Sequence, residues 1–143
     1  MPTAHTSVLG LDVGDKRVGV AVATLAARLP RPLTTLERSE GFFEALEALV
    51  RSEDAGALVV GLPRNLRGEH TDQTRSVEKL VQQLQERIGI SIHLQDEAAT
   101  SKQAEAELEA RKKPYAKGDI DALAATYILQ DWLSEHPSEQ GAA

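Results

Sequence analysis

The chain has 143 residues, 41% of them hydrophobic, with 22 Asp and Glu against 16 Lys and Arg for a net charge of −6 and no cysteine. That length suits one domain with a real core, no apolar run reaches the roughly 18 residues of a membrane span, and disulfide frameworks and zinc-thiolate sites are excluded. The negative balance argues against a generic nucleic-acid coat protein but not against an enzyme whose acids hold cations.

Val8 to Val13 is almost continuously apolar, as a central strand covered on both faces would be, and it carries one carboxylate, Asp12. Val8, Gly10 and Asp12 share a face by strand alternation. A buried carboxylate needs a partner, hydrogen bonds or a metal, so Asp12 is either a structural acid or a ligand. Gly14 and Asp15 read as a turn into a second strand, Arg17 to Ala23, making an antiparallel hairpin. Pro30 and Pro32 limit the next element to a short strand or edge segment over Leu33 to Leu36.

Ser39 is placed to cap a helix with Phe42, Leu46, Leu49 and Val50 at helical spacing, and Gly56 lies past its end. Ala57 to Leu62 is a second buried strand, parallel to the first because a helix leads into it. The polar loop Pro63 to Asp72 follows, and its Arg64, Asn65 and Arg67 stand beyond a strand's C-terminal end, where α/β proteins bind ligands. Val77, Leu80, Val81, Leu84 and Ile88 form a helical stripe, with Gly89 at the C-cap. Ile90, Ile92 and Leu94 then alternate with Ser91, His93 and Gln95 in a half-exposed strand ending in Asp96 and Glu97.

Thr100 and Gln103 have capping-box spacing for a helix that stops before Pro114. Arg111, Lys112, Lys113 and Lys117 make the densest basic cluster, either a solvated connection or a contact for backbone phosphates. Asp119 is the expected N-cap of the last helix, which puts Asp121 in its first turn and on one face with Ala124, Ala125, Ile128 and Trp132. Residues 1–137 are expected to form one domain, and 138–143 a disordered tail. The opening MPTAHTS does not read as a signal peptide, so a cytoplasmic location is expected.

Three acids stand out: Asp12 in a buried strand, Asp96 or Glu97 at a strand end, and Asp121 on an inward helix face. Singly, each has an ordinary structural explanation, such as dipole stabilisation for Asp121. Brought together, such oxygen ligands would suit Mg²⁺ or Mn²⁺, and two such ions about 4 Å apart could drive in-line phosphodiester hydrolysis.

The segments LDVGDKRVGVAVA, VVGLPRNLRG, DEAATSKQAEAEL and KGDIDALAATYILQDWL resemble, in order and spacing, successive motifs of the YqgF family, ribonuclease H-like proteins described both as pre-16S rRNA nucleases and as Holliday junction resolvases. The resemblance implies an α/β fold, a five-stranded mixed sheet with helices on both faces, and a catalytic, metal-binding triad of Asp12, Glu97 rather than Asp96, and Asp121. It implies a divalent-metal nuclease with precursor 16S rRNA as substrate; two Mg²⁺ or Mn²⁺ ions are expected, with Lys16, Arg64, Asn65, Arg67 and Lys117 holding the backbone. Branched DNA is the alternative substrate, which a homodimer rather than a monomer would suit, and a non-catalytic nucleic-acid-binding module is a further one. An actin-like or sugar-kinase ATPase shares an Asp-x-Gly hairpin but needs two such domains. Two departures stand out: Ala98 and Ala99 replace the family's usual Arg-Leu after the acids, and Arg67 replaces an Asp, a basic residue that could restore the lost charge.

Overall fold

The computed structural model describes residues 5–63, 71–97, 100–111 and 116–137, excepting the side chains of residues 97, 100–105 and 117. Five strands form one sheet: β1 (Ser7–Val13), β2 (Arg17–Thr24), β3 (Arg31–Glu37), β4 (Ala55–Pro63) and β5 (Ser91–Glu97), in the order β3-β2-β1-β4-β5. The β1–β2 hairpin is antiparallel with Asp12 opposite Gly19, whereas β4 runs parallel to both β1 and β5. This is the mixed sheet that the family resemblance implied. The C-terminal ends of β1, β4 and β5 therefore lie along one end of the sheet.

The helices divide between the two faces. α1 (Phe42–Ser52) and α2 (Asp72–Arg87) cover one, packing Phe42, Leu46, Val77, Leu80 and Leu84 onto Leu9, Leu11, Val18, Val20, Leu58 and Val60. On the other, α4 (Lys117–Glu135) packs Ala125, Ile128, Leu129 and Leu133 onto Val8, Ala21, Ala23 and Val59. α3 (Thr100–Arg111) lies outside α4, with Leu108 against Leu123 and Ala124. Glu107 ties these two helices: it accepts the Tyr127 hydroxyl and pairs with Arg111 at 3.1 Å. Burial first, and then the Glu107 carboxylate, push the Tyr127 phenol up to about 12.

Several local expectations change. α1 begins after Gly41, not Ser39, which contributes only its backbone carbonyl to the Phe42 amide. Gly56 lies inside β4 and not beyond α1 in a loop. α2 ends on an extended Ile88, so Gly89 is no left-handed cap. α2 starts instead on a reciprocal Thr71–Thr74 pair, and the buried Thr74 hydroxyl donates to the Pro63 carbonyl at 2.5 Å, pinning the exit of β4. In β5 the polarity partly inverts: Leu94 is 46% exposed on this edge strand, while Gln95 is buried and donates to Glu135 at 2.5 Å. The Thr100 and Gln103 side chains and the 138–143 tail lie outside the described residues.

Candidate active site

The site is built where β1 ends, and glycine makes room for it. Asp12 is the next-to-last residue of β1, on the face that α4 covers. Its cross-strand partner, Gly19, has no side chain to hold the helix away. A Cβ at Gly19 would stand 1.9 Å from the Asp121 backbone oxygen and 2.7 Å from the Ala122 nitrogen. The same economy recurs at Gly10, under Leu129, and at Gly61, under Ile128. α4 thus rests almost directly on the sheet, and its Asp121 lies beside Asp12.

The start of α4 differs from the sequence expectation. Ala116 is the N-cap, and the Asp119 carboxylate accepts the Ala116 amide at 2.9 Å from the helix's third position. Asp119 is thereby occupied with an otherwise orphaned helix N–H. Asp121 stands in the second turn, not the first, so position against β2 rather than the helix dipole defines its setting.

Arg17, the first residue of β2, donates through Nε to Asp121 Oδ2 at 2.7 Å. Asp12 has no hydrogen bond or ion pair among the described residues. Its carboxyl is pushed up from 3.8 to about 6, first by burial and then by the neighbouring Asp121 charge. Two carboxylates, one of them desolvated, repel each other in a medium that screens poorly. A divalent cation bound between them would offset both effects, and an all-oxygen donor set suits Mg²⁺ or Mn²⁺. No group of three potential ligands is assembled among the described residues.

Glu97 is the last residue of β5, in register with Pro63 of β4 and two residues beyond Gln95. β5 and β1 flank β4, so the Glu97 backbone is about two strand spacings, roughly 10 Å, from β1 at the same end of the sheet. Asp96 is exposed. Lys16 is exposed in the β1–β2 turn, and Lys117 opens α4. Arg64, Asn65 and Arg67 lie outside the described residues, as do Lys112 and Lys113. Two arginines were not anticipated. Arg17 is one; the other, Arg38, braces the turn by donating its amide to the Lys16 carbonyl at 2.8 Å and its guanidinium to the Gly14 carbonyl at 3.0 Å. Neither has a local signal, because each role depends on a contact distant in sequence.

A family model described as "RuvX: Holliday junction resolvase" matches residues 6–135. The chain belongs to the RuvX family. Among the relatives, a "Putative pre-16S rRNA nuclease" of Pseudomonas savastanoi pv. phaseolicola is 37% identical over 135 residues, covering 91% of this chain and 92% of the relative. A protein of the same name from Crocosphaera subtropica is 42% identical over 134 residues, covering 90% and 93%. In three dimensions the chain is similar to T. thermophilus RuvC in complex with Holliday junction substrate, with a TM-score of 0.53 at 18% identity over 90% of this chain and 95% of that one. The fowlpox virus resolvase, in complex with Holliday junction DNA, gives a TM-score of 0.50 at 10% identity over 90% and 97%. These likenesses agree with the ribonuclease H-like fold. RuvX membership places the chain among nucleases, and no helix among the described residues is long and apolar enough to cross a membrane.

Proposed function

We propose that this RuvX-family chain is a cytoplasmic, divalent-metal-dependent nuclease that hydrolyses phosphodiester bonds in structured RNA, trimming the 5′ side of precursor 16S rRNA. The observation that carries this reading is the approach of Asp121 to a partly buried Asp12, without a partner among the described residues, at the C-terminal end of β1. The names of the relatives supply the substrate class.

Asp12, Asp121 and Glu97 would hold Mg²⁺ or Mn²⁺, ions that at such sites lower the pKa of a bound water and neutralise charge on the reacting phosphate. Asp12 supplies the central carboxylate, fixed by the strand. Asp121 is oriented by Arg17 and by the seat of its peptide on Gly19. Lys16, Lys117 and the loop bearing Arg64, Asn65 and Arg67 would hold the nucleic-acid backbone without reading its sequence. Glu97 comes from β5, two strands away, so the site would span the end of the sheet.

A second reading, resolution of four-way DNA junctions, is favoured by the family description and would use the same carboxylates. It requires a homodimer presenting two sites across one junction. Wild type and Asp12→Asn, incubated with Mg²⁺ or Mn²⁺, would be offered precursor 16S rRNA fragments and synthetic DNA junctions. Cleavage of the RNA is expected, with a loss of more than about 100-fold in Asp12→Asn, since even residues behind a metal ligand matter by 10–100-fold. Preferential junction cleavage would establish the second reading. No cleavage of either by clean, folded wild type would leave a nucleic-acid-binding module. Full turnover by Asp12→Asn would remove the triad.

A further inference from the structure

Arg17 has more donors than its contact with Asp121 uses. A guanidinium carries five N–H groups in a rigid fork. Asp121 takes the one on Nε, at 2.7 Å, and no described residue accepts from the outer nitrogens. The side chain is 37% exposed while the Asp121 side chain is 19% exposed, so the pair is buried at its acid end and open at its arginine end. The other arginine at this turn is committed elsewhere: Arg38 bonds the Gly14 carbonyl and Ser76. Arg17 also belongs to the strand immediately beside Asp12, since Val18 and Gly19 pair with Val13 and Asp12.

A phosphodiester approaching two carboxylates meets like charge, and a planar guanidinium is the side chain best shaped to join a carboxylate to a phosphate. We propose that Arg17 is a bridging residue: its Nε keeps Asp121 in place while its outer nitrogens bind a phosphate of the substrate strand beside the acids. The proposal rests on the nuclease reading and adds a substrate contact to it.

The test is binding of a fluorescein-labelled precursor 16S rRNA fragment, in Mg²⁺ and over a range of KCl, in an Asp12→Asn background that does not cut. Adding Arg17→Gln or Arg17→Lys should weaken binding about tenfold, as loss of a charged hydrogen bond would. It should also reduce the slope of log affinity against log salt by about 0.7–0.9, the share of one phosphate contact. Arg17→Lys loses the increment because its single ammonium stays with Asp121. With Asp12 intact, Arg17→Lys should raise KM while keeping more of kcat than Arg17→Gln. Arg87→Gln, which alters a pair with Glu47 on the opposite face, should leave the slope unchanged. Unchanged slopes in both folded Arg17 variants, alongside normal wild-type cleavage, overturn the bridge and leave the nuclease reading standing. An equal change in Arg87→Gln overturns it too, by assigning the effect to net charge. If protein with Arg17 intact neither binds nor cuts the RNA, both readings fail together.

Discussion

Under α1 and α2 the sheet presents Leu9, Leu11, Val18, Val20, Leu58 and Val60, whereas under α4 it presents Gly10, Gly19, Gly61, Ala21 and Ala23 with only Val8 and Val59 among them. Large aliphatic side chains keep two layers apart and fill the gap with apolar area, which is where stability arises. Glycine and alanine bring a helix backbone down onto the strands, giving up buried area for proximity. That proximity puts a helix-borne carboxylate next to a strand-borne one. The aliphatic face should therefore control stability and the glycine face the geometry of the site. Leu46→Ala, at a fully buried position of α1, is expected to cost about 2–5 kcal/mol in urea unfolding. Cleavage per folded molecule should not change, and a parallel loss of kcat would dissolve the distinction.

The glycine face should also bear an electrostatic cost that the other does not. The Asp12 carboxyl titrates near 3.8 when unfolded and about 6 when folded. Between these values the native state holds the extra proton, so in metal-free protein the Asp12 contribution to stability falls as pH rises from about 4 to 6, then levels off. A shift of this size corresponds to roughly 3 kcal/mol at most. Asp12→Asn, which mimics the protonated acid, should match wild type near pH 4 and exceed it above pH 6 when both are unfolded in EDTA. Mg²⁺ should narrow the gap by stabilising wild type alone. A constant difference across pH would mean that Asp12 is not strained by burial.

A steric counterpart lies one strand away. The Cβ of Gly19→Ala would collide with the Asp121 peptide, which is backbone and cannot rotate aside. The expected cost is about 1–3 kcal/mol, as for other overpacked sites. Here activity should suffer more than stability, because a displacement of about 1 Å can cost 100-fold in rate. Gly41→Ala is the control, since its Cβ would meet nothing within 4 Å. Full activity in a destabilised Gly19→Ala would show that the distance between Asp12 and Asp121 is not critical.

Much of this contrast was legible in the chain. A run of branched residues interrupted by Gly10 and Asp12 marks a central strand, and the Val77 to Ile88 stripe marks α2, because local periodicity and burial agree there. Asp12 was recognisable as an acid where none is comfortable, and Asp121 from its helix face. The first-turn placement of Asp121 failed because Asp119 bonds Ala116 from the third helical position, which moves the helix start three residues back. Leu94 and Gln95 misled for a different reason. Alternation identifies two faces, but on an edge strand only the neighbouring helices decide which is covered, and Glu135 of α4 reaches Gln95. Arg17 was unreadable, because its partner lies 104 residues away. The choice of Glu97 over Asp96 came from family resemblance alone.

The smallest expected effect concerns the far end of α4, where the contrast between faces should fade. Arg28, in the turn between β2 and β3 with φ of 55°, donates to the Leu133 and His136 carbonyls at 2.9 and 2.5 Å. These include the carbonyls a helix leaves unsatisfied at its C-terminus, and the guanidinium charge also suits the negative end of the dipole. Arg28→Ala removes both bonds, but the carbonyls it releases near the exposed His136 can turn to water, so the loss should be about 1 kcal/mol rather than that of a buried orphan. α4 is anchored independently at Gly10, Gly19 and Gly61, so fraying its last turn should not move Asp121. Hydrogen exchange should accelerate over residues 131–136 and stay unchanged near Asp121, with kcat at the wild-type value. If Arg28→Ala lowered kcat, α4 would be a rigid lever whose two ends are coupled, and the glycine contacts alone would not explain where the carboxylate sits.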